Sequence, residues 1–155
     1  MPTKNTVLKE LCHLDFDAVA AYEASLDRIK DDSLKGKIRE FYNDHVEHIK
    51  SLIELLIQNE EDKVTGTDVK KLLTKGKVVI AGLINDEAIL KAMDINEKVT
   101  TEAYEKALKH DDLTANERSV LEAHWEDEKR HKEWFSNMAE NYSDCVKTHF
   151  LPMPL

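Results

Sequence analysis

The feature that most constrains the fold of this chain is the spacing of its apolar residues, which recur every three or four positions in four long segments. This spacing places the apolar side chains on one face of an α-helix. Glycine and proline interrupt helices, and the chain has only 4 and 3 of them in 155 residues. We therefore expect an all-α protein. The predicted helices cover residues about 6–30, 34–60, 86–109 and 115–142, and the tail 143–155 is predicted to be irregular.

The lengths of the connections predict how these helices are arranged. Short turns follow the first and third helices, and helices joined by short turns pack antiparallel. Residues 61–85 form a longer connection with room for one short helix. Ser33 is the candidate cap of the second helix, while Thr114 and Glu117 have the spacing of a capping box at the start of the fourth. We expect one domain, residues 1–155, folded as a four-helix bundle of two antiparallel hairpins joined by a long crossover.

Charge and cysteine content exclude several kinds of partner. The formal net charge is -9 at pH 7 and no helix face carries a cluster of lysine and arginine, so no nucleic-acid partner is expected. No apolar run approaches the roughly 20 residues that span a bilayer, and the first residues lack the apolar stretch of a signal peptide. We expect a cytoplasmic protein without a membrane partner, in which Cys12 and Cys145 are reduced. A homodimer is compatible with a bundle of this size.

Polar side chains interrupt each apolar face at positions that the helical spacing directs to the core. The segment 124–131, HWEDEKRH, shows this most clearly, because two histidines and a glutamate recur in it at intervals of four and three. An ionised side chain that is buried without a partner costs several kcal/mol or more. The candidate residues are Asp15 on the first helix, His45 and His48 on the second, Glu97 on the third, and His124, Glu128 and His131 on the fourth.

These polar residues are predicted to lie at one level of the bundle. Two residues at the same level of an antiparallel hairpin are equally far from its turn. By this rule Asp15 is level with His48, and Glu97 is level with Glu128. The hairpins also resemble each other, because the sequence AYEASL in the first helix returns as AYEKAL in the third, and this repeat pairs Asp15 with Glu97. All the candidate residues therefore converge on one layer.

Such a layer is typical of a metal site, because carboxylates and neutral imidazoles complete the coordination of a divalent ion and balance its charge. Residues at positions i and i+3 of a helix lie about 5–6 Å apart at Cβ. One of them can bridge two ions while its neighbour binds one, and ions about 3.5–4 Å apart are common in catalysis. A metal-free polar core is the alternative, since a single buried histidine is more often structural than a ligand.

The pattern of these residues resembles that of the ferritin-like di-iron carboxylate superfamily, which includes rubrerythrins and bacterioferritins. That pattern has a carboxylate on each of the first and third helices and Glu-x-x-His on each of the second and fourth. The sequence EKRH at 128–131 matches it, whereas His45 stands where the second helix of the superfamily has glutamate. The remaining positions are matched by Asp15, His48 and Glu97. The stretch AGLINDEAILKAMDINEKVTTEAYEKAL also resembles a family of small ferritin-like bundles of unknown function.

The resemblance covers residues about 6–142 and implies a cofactor and an activity. The implied cofactor is a pair of iron ions, with manganese or zinc as alternatives. The implied activity is that of an oxidoreductase reacting with oxygen or peroxide, like a ferroxidase or a peroxidase. The chain lacks the cysteine quartet of rubredoxins, so the electrons would come from an external donor. No catalytic residue is assigned.

The histidines make this site unlike the superfamily pattern. His45 enriches it in nitrogen, which favours a single metal, a mixed pair or a metal other than iron. Asp44, next to it in sequence, is not expected to replace the missing glutamate. His124 is either an extra ligand or a partner that orients one. Two other functions remain open: a metal-binding or stress-sensing bundle without turnover, and a metal-free helical interaction module.

Overall fold

The computed structural model of the protein describes residues 2–59, 80, 82–83 and 85–149, those of 143–149 without their side chains. It contains four long helices, and no β-strand occurs in these residues. The prediction of an all-α four-helix protein is confirmed. The helices are α1 (Lys4–Arg28), α2 (Asp32–Gln58), α3 (Asp86–Ala107) and α4 (Ala115–His149).

The predicted and observed helix bounds agree within two residues except at the end of α4. This helix continues to His149, so the prediction of an irregular chain is wrong for residues 143–149. The reason is that α4 contains neither glycine nor proline, and a loss of apolar periodicity alone does not end a helix. Residues 150–155 and most of the predicted crossover, 60–79, lie outside the described residues.

Side-chain caps define where the helices begin. The carboxylate of Asp31 caps α2 by accepting hydrogen bonds from the backbone N–H of Ser33 at 3.0 Å and from its hydroxyl at 2.6 Å. The prediction of Ser33 as the cap is therefore wrong, because Ser33 already lies inside the helix. The predicted capping box of α4 is confirmed. The hydroxyl of Thr114 accepts from the N–H of Glu117 at 3.1 Å, and the carboxylate of Glu117 accepts from the N–H of Thr114 at 2.9 Å.

Glu117 also ties three helices together at this end of the bundle. Its carboxylate accepts hydrogen bonds from Lys4 of α1 at 3.2 Å and from the side chain of Asn59, just beyond α2, at 3.0 Å. Burial alone would raise the pKa of Glu117, but the hydrogen bonds that the carboxylate accepts lower it below its ordinary value. The ionised form of this side chain therefore stabilises the fold.

Two apolar clusters fill the bundle, one on each side of a polar layer. α1 packs against α2 and α3, and α4 packs against α3 and α2. Burying one leucine or phenylalanine contributes about 1.5–3 kcal/mol, so the clusters hold the backbone on both sides of the layer in place. Among the described residues, no helix has a stretch long and apolar enough to cross a membrane. The clusters include Ile38, Phe41, Leu90 and Phe135 on one side, and Leu8, Leu11, Leu52 and Leu121 on the other.

Candidate metal centre

The seven residues selected from the sequence all lie in the polar layer between the apolar clusters. None of them is more than 6% exposed, although residues of these types are seldom buried without a partner. Six of the seven form two overlapping groups, in each of which the potential ligand atoms lie within 4.8 Å of one another. The first group is Asp15, His45, His48 and Glu128, and the second is His45, Glu97, Glu128 and His131.

The first group is compact. The Nδ1 atoms of His45 and His48 lie 2.8 and 3.3 Å from Oδ1 of Asp15. The same two nitrogens lie 3.4 and 3.2 Å from Oε1 of Glu128. Two imidazole nitrogens and two carboxylate oxygens therefore enclose one small volume.

The second group has the same atom types at wider spacing. Nε2 of His45 lies 3.2 Å from Oε1 of Glu97. Nδ1 of His131 lies 3.6 Å from Oε2 of Glu97 and 3.9 Å from Oε2 of Glu128. This volume is larger than the first but is lined by two nitrogens and two carboxylates as well.

His45 and Glu128 are the residues common to both groups, and each presents a different atom to each group. His45 donates from Nδ1 to Asp15 in the first group and from Nε2 to Glu97 in the second. Glu128 presents Oε1 to the histidines of the first group and Oε2 to His131 of the second. The two volumes are therefore adjacent, with one shared residue on α2 and one on α4.

Several inward atoms have no hydrogen-bond partner within the described part of the chain. They are Oε2 of Glu97, both carboxylate oxygens of Glu128, and Nδ1 of His131. Oε1 of Glu128 is within ion-pair distance of His48 but is not aligned for a hydrogen bond. A buried polar atom without a partner costs about 1–3 kcal/mol. These atoms are therefore free to coordinate a cation.

Two tyrosines donate hydrogen bonds to Asp15 and Glu97, the two carboxylates that each belong to only one of the two groups. The hydroxyl of Tyr22 donates to Oε1 of Glu97 at 2.5 Å, and that of Tyr104 donates to Oδ2 of Asp15 at 2.5 Å. Both tyrosines are fully buried, and burial raises the pKa of each well above its ordinary value, as does the adjacent carboxylate charge. They therefore stay protonated and act as donors.

Two aspartates hold the outer nitrogens of the inward histidines. Nε2 of His48 donates to Oδ2 of Asp127 at 2.9 Å, and Nε2 of His131 donates to Oδ2 of Asp44 at 2.8 Å. Arg130 joins the two aspartates, at 2.8 Å from Asp44 and 3.2 Å from Asp127. A carboxylate on the outer N–H of a histidine orients its ring and makes the inner nitrogen a better metal ligand.

This outer pair was not recognised in the sequence. The helical spacing does not direct Asp127 to the core, yet its carboxylate contacts His48. Asp44 was not expected to replace the missing glutamate, and its contact with His131 was not predicted. The available signal was positional, because each aspartate directly precedes one of the shared residues, His45 or Glu128.

His124 lies beside the first group but belongs to neither. Its ring stacks on that of His48 with 4.0 Å between centroids, and its Nδ1 lies 3.2 Å from the hydroxyl of Tyr104. Burial and the neighbouring charge of His48 lower the pKa of His124 to about 3, so its ring is neutral. The structure places it as a packing partner of His48 outside both groups.

The histidines of the first group carry positive charge when no metal is bound. Burial alone would lower the pKa of His45, but the charges of Glu128 and Glu97 raise it well above its ordinary value. Burial would also lower the pKa of His48, but hydrogen bonds to Asp127 and Asp15 raise it to about 11. Both rings are therefore imidazolium ions that donate from both nitrogens.

The carboxylates divide into two kinds. Burial would raise the pKa of Asp15 and of Glu97, but hydrogen bonding and the charge of His45 lower both. At Glu128 burial outweighs the opposing charge of His45, and the charge of Glu97 adds to it, so the pKa is raised well above its ordinary value. The lowered pKa values keep Asp15 and Glu97 ionised beside the two imidazolium ions, whereas burial opposes the ionisation of Glu128.

The layer has an approximate twofold repeat that follows the repeat in the sequence. The hydrogen bonds of the two tyrosines and of the two outer aspartates each occur twice, once from each hairpin, with the same residue type or a close relative. Matching residues differ in number by 82 on α1 and α3 and by 83 on α2 and α4. The matched pairs are Tyr22 with Tyr104, Asp15 with Glu97, Asp44 with Asp127, His48 with His131 and, with a change of type, His45 with Glu128.

Comparison with known proteins identifies a family but no function. A family model described as "Domain of unknown function (DUF2383)" matches residues 4–110, which is more than half of the chain. The match includes Asp15, His45, His48 and Glu97, whereas Glu128 and His131 lie beyond it. No curated protein and no solved structure matches the chain.

Proposed function

The chain belongs to the DUF2383 family, whose function is unknown, and we propose that it binds a pair of transition-metal ions in the polar layer of its bundle. The observation that carries this proposal is the convergence of inward carboxylate and imidazole atoms that have no hydrogen-bond partner. They belong to Glu97, Glu128 and His131, and all three residues are fully buried. A cation would satisfy these atoms together.

The spacing of the donors fits a metal ion. Metal–nitrogen and metal–oxygen bonds of about 2.0–2.1 Å in a tetrahedral site place neighbouring ligand atoms about 3.3–3.4 Å apart. The four measured separations in the first group run from 2.8 to 3.4 Å. Those in the second run from 3.2 to 3.9 Å. The first group is close to the required spacing, and the second needs a small contraction.

The donor set is compatible with iron, manganese or zinc. It combines carboxylate oxygens with imidazole nitrogens and includes no thiolate, so metals that select soft sulfur ligands are disfavoured. We propose the iron pair of the ferritin-like proteins that the sequence resembles, acting on oxygen or peroxide with electrons from an external donor. Bound iron would supply the change of oxidation state that this chemistry needs.

The chain's own residues position the ligands and exclude water. Tyr22 and Tyr104 each donate a hydrogen bond to one oxygen of a carboxylate. This fixes the orientation of the carboxylate, whose other lone pairs face the layer and can bind a metal ion. Asp44 and Asp127 hold the Nε2 protons of the two histidines, which turns their Nδ1 atoms toward the layer. The apolar clusters above and below keep bulk water out, so charge interactions in the layer are strong.

A metal-free structural core is the second candidate. It is favoured by the charge balance of the layer without a metal, in which His45 and His48 neutralise Asp15 and Glu97. The unpartnered oxygens of Glu128 argue against it, because a purely structural core would satisfy or replace them.

Metal analysis separates these candidates. The protein is expressed in iron-replete cells, purified without chelator, and analysed for transition metals by mass spectrometry. We expect up to two ions per chain, loss of metal in Glu128→Ala, and no loss in Glu122→Ala, an exposed position on the same helix. Fewer than one transition-metal ion per wild-type chain would refute metal binding.

A second measurement tests the redox activity. Ferrous iron is added to the metal-free protein with oxygen or peroxide, and its oxidation is followed by absorbance. We expect wild-type protein to accelerate the oxidation and Glu128→Ala to lose the acceleration. If wild type binds iron without accelerating its oxidation, the function is metal binding or sensing without turnover.

A further inference from the structure

The ring of His45 directs both of its nitrogens into the layer, although a histidine that binds a single metal ion needs only one. Its Nδ1 faces the first group, 2.8 Å from Asp15, and its Nε2 faces the second, 3.2 Å from Glu97. The other two histidines differ, because His48 and His131 turn only one nitrogen inward and give the other to an aspartate at the surface of the layer. His45 alone among these three has both nitrogens directed at layer carboxylates that belong to different groups.

The ring is held in this orientation from several sides. It is fully buried, with the ring of Tyr22 at 5.1 Å and that of His131 at 5.1 Å between centroids. The repeat matches His45 with Glu128, which also presents one atom to each group. The residue at the matched position on α4 thus already spans the two volumes.

We propose, building on the metal-binding function above, that His45 bridges the two metal ions as an imidazolate, with Nδ1 bound to one and Nε2 to the other. On this arrangement the first ion is held by Asp15 and His48, and the second by Glu97 and His131. Glu128 is the second bridge. Both ring protons of His45 and the Nδ1 proton of His48 pass to solvent as the ions bind.

The bridge has a consequence for which metals fit. An aromatic ring lies between the ions, so they are farther apart than the roughly 3.5–4 Å of a pair bridged by carboxylates or oxygen atoms alone. Each ion has two nitrogen and two carboxylate ligands. This set favours metals with high affinity for imidazole, such as copper and zinc, more than the superfamily site does.

Copper(II) provides a test, since an imidazolate bridge couples the unpaired electrons of two copper ions. Metal-free protein is titrated with Cu²⁺ and desalted, its copper per chain is measured, and the electron paramagnetic resonance spectrum is integrated at liquid-helium temperature. We expect two ions per chain, an integrated spin intensity well below two that increases on warming, and a half-field transition at temperatures where the triplet state of the coupled pair is populated. Far-UV circular dichroism checks that every variant remains helical.

Two variants identify the bridging residue. His45→Gln keeps a polar side chain of similar size that cannot bridge as an imidazolate, and we expect its bound copper to show full spin intensity without the half-field line. His13→Gln removes an exposed histidine from α1 and is expected to match wild type in both measurements. His45→Glu restores the superfamily carboxylate and is expected to bind two ions with a different coupling.

The outcomes separate this inference from the metal-binding function. Two uncoupled ions in wild type, or coupling unchanged in His45→Gln, would overturn the bridge and leave metal binding intact. One tightly held ion in wild type would also overturn it, and would mean that His45 remains an imidazolium in the place of the second metal. If wild type binds no copper, zinc or iron, both the bridge and the metal-binding function fail.

Discussion

Replacing Glu128 with methionine should stabilise the metal-free protein while removing its response to metal. Glu128 is fully buried, and neither carboxylate oxygen has a hydrogen-bond partner in the described part of the chain. Its pKa is raised by burial, despite the opposing charge of His45, so burial disfavours its ionised form. Methionine is unbranched and flexible enough to fill the same space without introducing a polar atom.

The magnitude follows from the unpartnered carboxyl group. Leaving a buried polar group unsatisfied costs about 1–3 kcal/mol, so Glu128→Met should raise the free energy of unfolding of metal-free protein by about that amount. For a chain of this length, about 1 kcal/mol corresponds to about 2–4 °C in Tm. Wild type should gain about 2.7 kcal/mol from metal at 100 times its Kd, and the variant should gain nothing.

Urea unfolding followed by circular dichroism measures both effects, once in chelator and once with added zinc, which avoids oxidation. Glu122→Met, at an exposed position of α4, controls for a change of side chain on the same helix, and its effect should stay within about 0.5 kcal/mol. A metal-free Glu128→Met protein less stable than wild type would refute the reasoning, because the carboxyl group would then be contributing to the fold. Equal stabilisation of variant and wild type by zinc would refute its role as a ligand.

Three further predictions concern residues around the layer and at the end of the bundle. Glu117→Ala removes the capping-box carboxylate and should cost about 1–2 kcal/mol in urea unfolding at neutral pH; because the pKa of Glu117 is lowered on folding, this loss should shrink as the pH falls through the folded-state pKa. Tyr22→Phe and Tyr104→Phe each remove a donor to a charged carboxylate and should each cost about 1.5–3 kcal/mol, measured the same way; a loss below about 0.5 kcal/mol would contradict the hydrogen bond. Asp44→Asn and Asp127→Asn should each weaken zinc binding about 10–100-fold in a competition titration with helicity unchanged; unchanged affinity would show that these aspartates do not orient the ligands.

The helices could be predicted because their signals are local. Apolar periodicity and the scarcity of helix breakers located α1 to α3 within two residues, and the capping box located the start of α4. The end of α4 was missed because its last residues have no apolar face that would signal a helix and contain no breaker that would end one. Ser33 was mistaken for a cap because Asp31, two residues earlier, is also a capping residue type and starts the helix sooner.

The candidate site was predictable in its membership but not in its geometry. Helical spacing and distance from the turns brought six residues into one layer, because both depend only on position along the chain. The ring orientation of His45 depends on Asp15 and Glu97, which lie on two other helices. Likewise, Asp127 contacts His48 across the interface between α2 and α4, and no spacing rule within one helix predicts such a contact.

Charge pairing explains how the same core could serve the protein with and without metal. Without metal, the imidazolium ions of His45 and His48 lie against the carboxylates of Asp15 and Glu97. A metal ion that bound in the layer would take the place of protons on these rings, so the carboxylates would keep a cationic partner in either state. The bundle could therefore fold first and accept metal afterwards, and the cost that remains without metal lies in the unpartnered carboxyl group of Glu128.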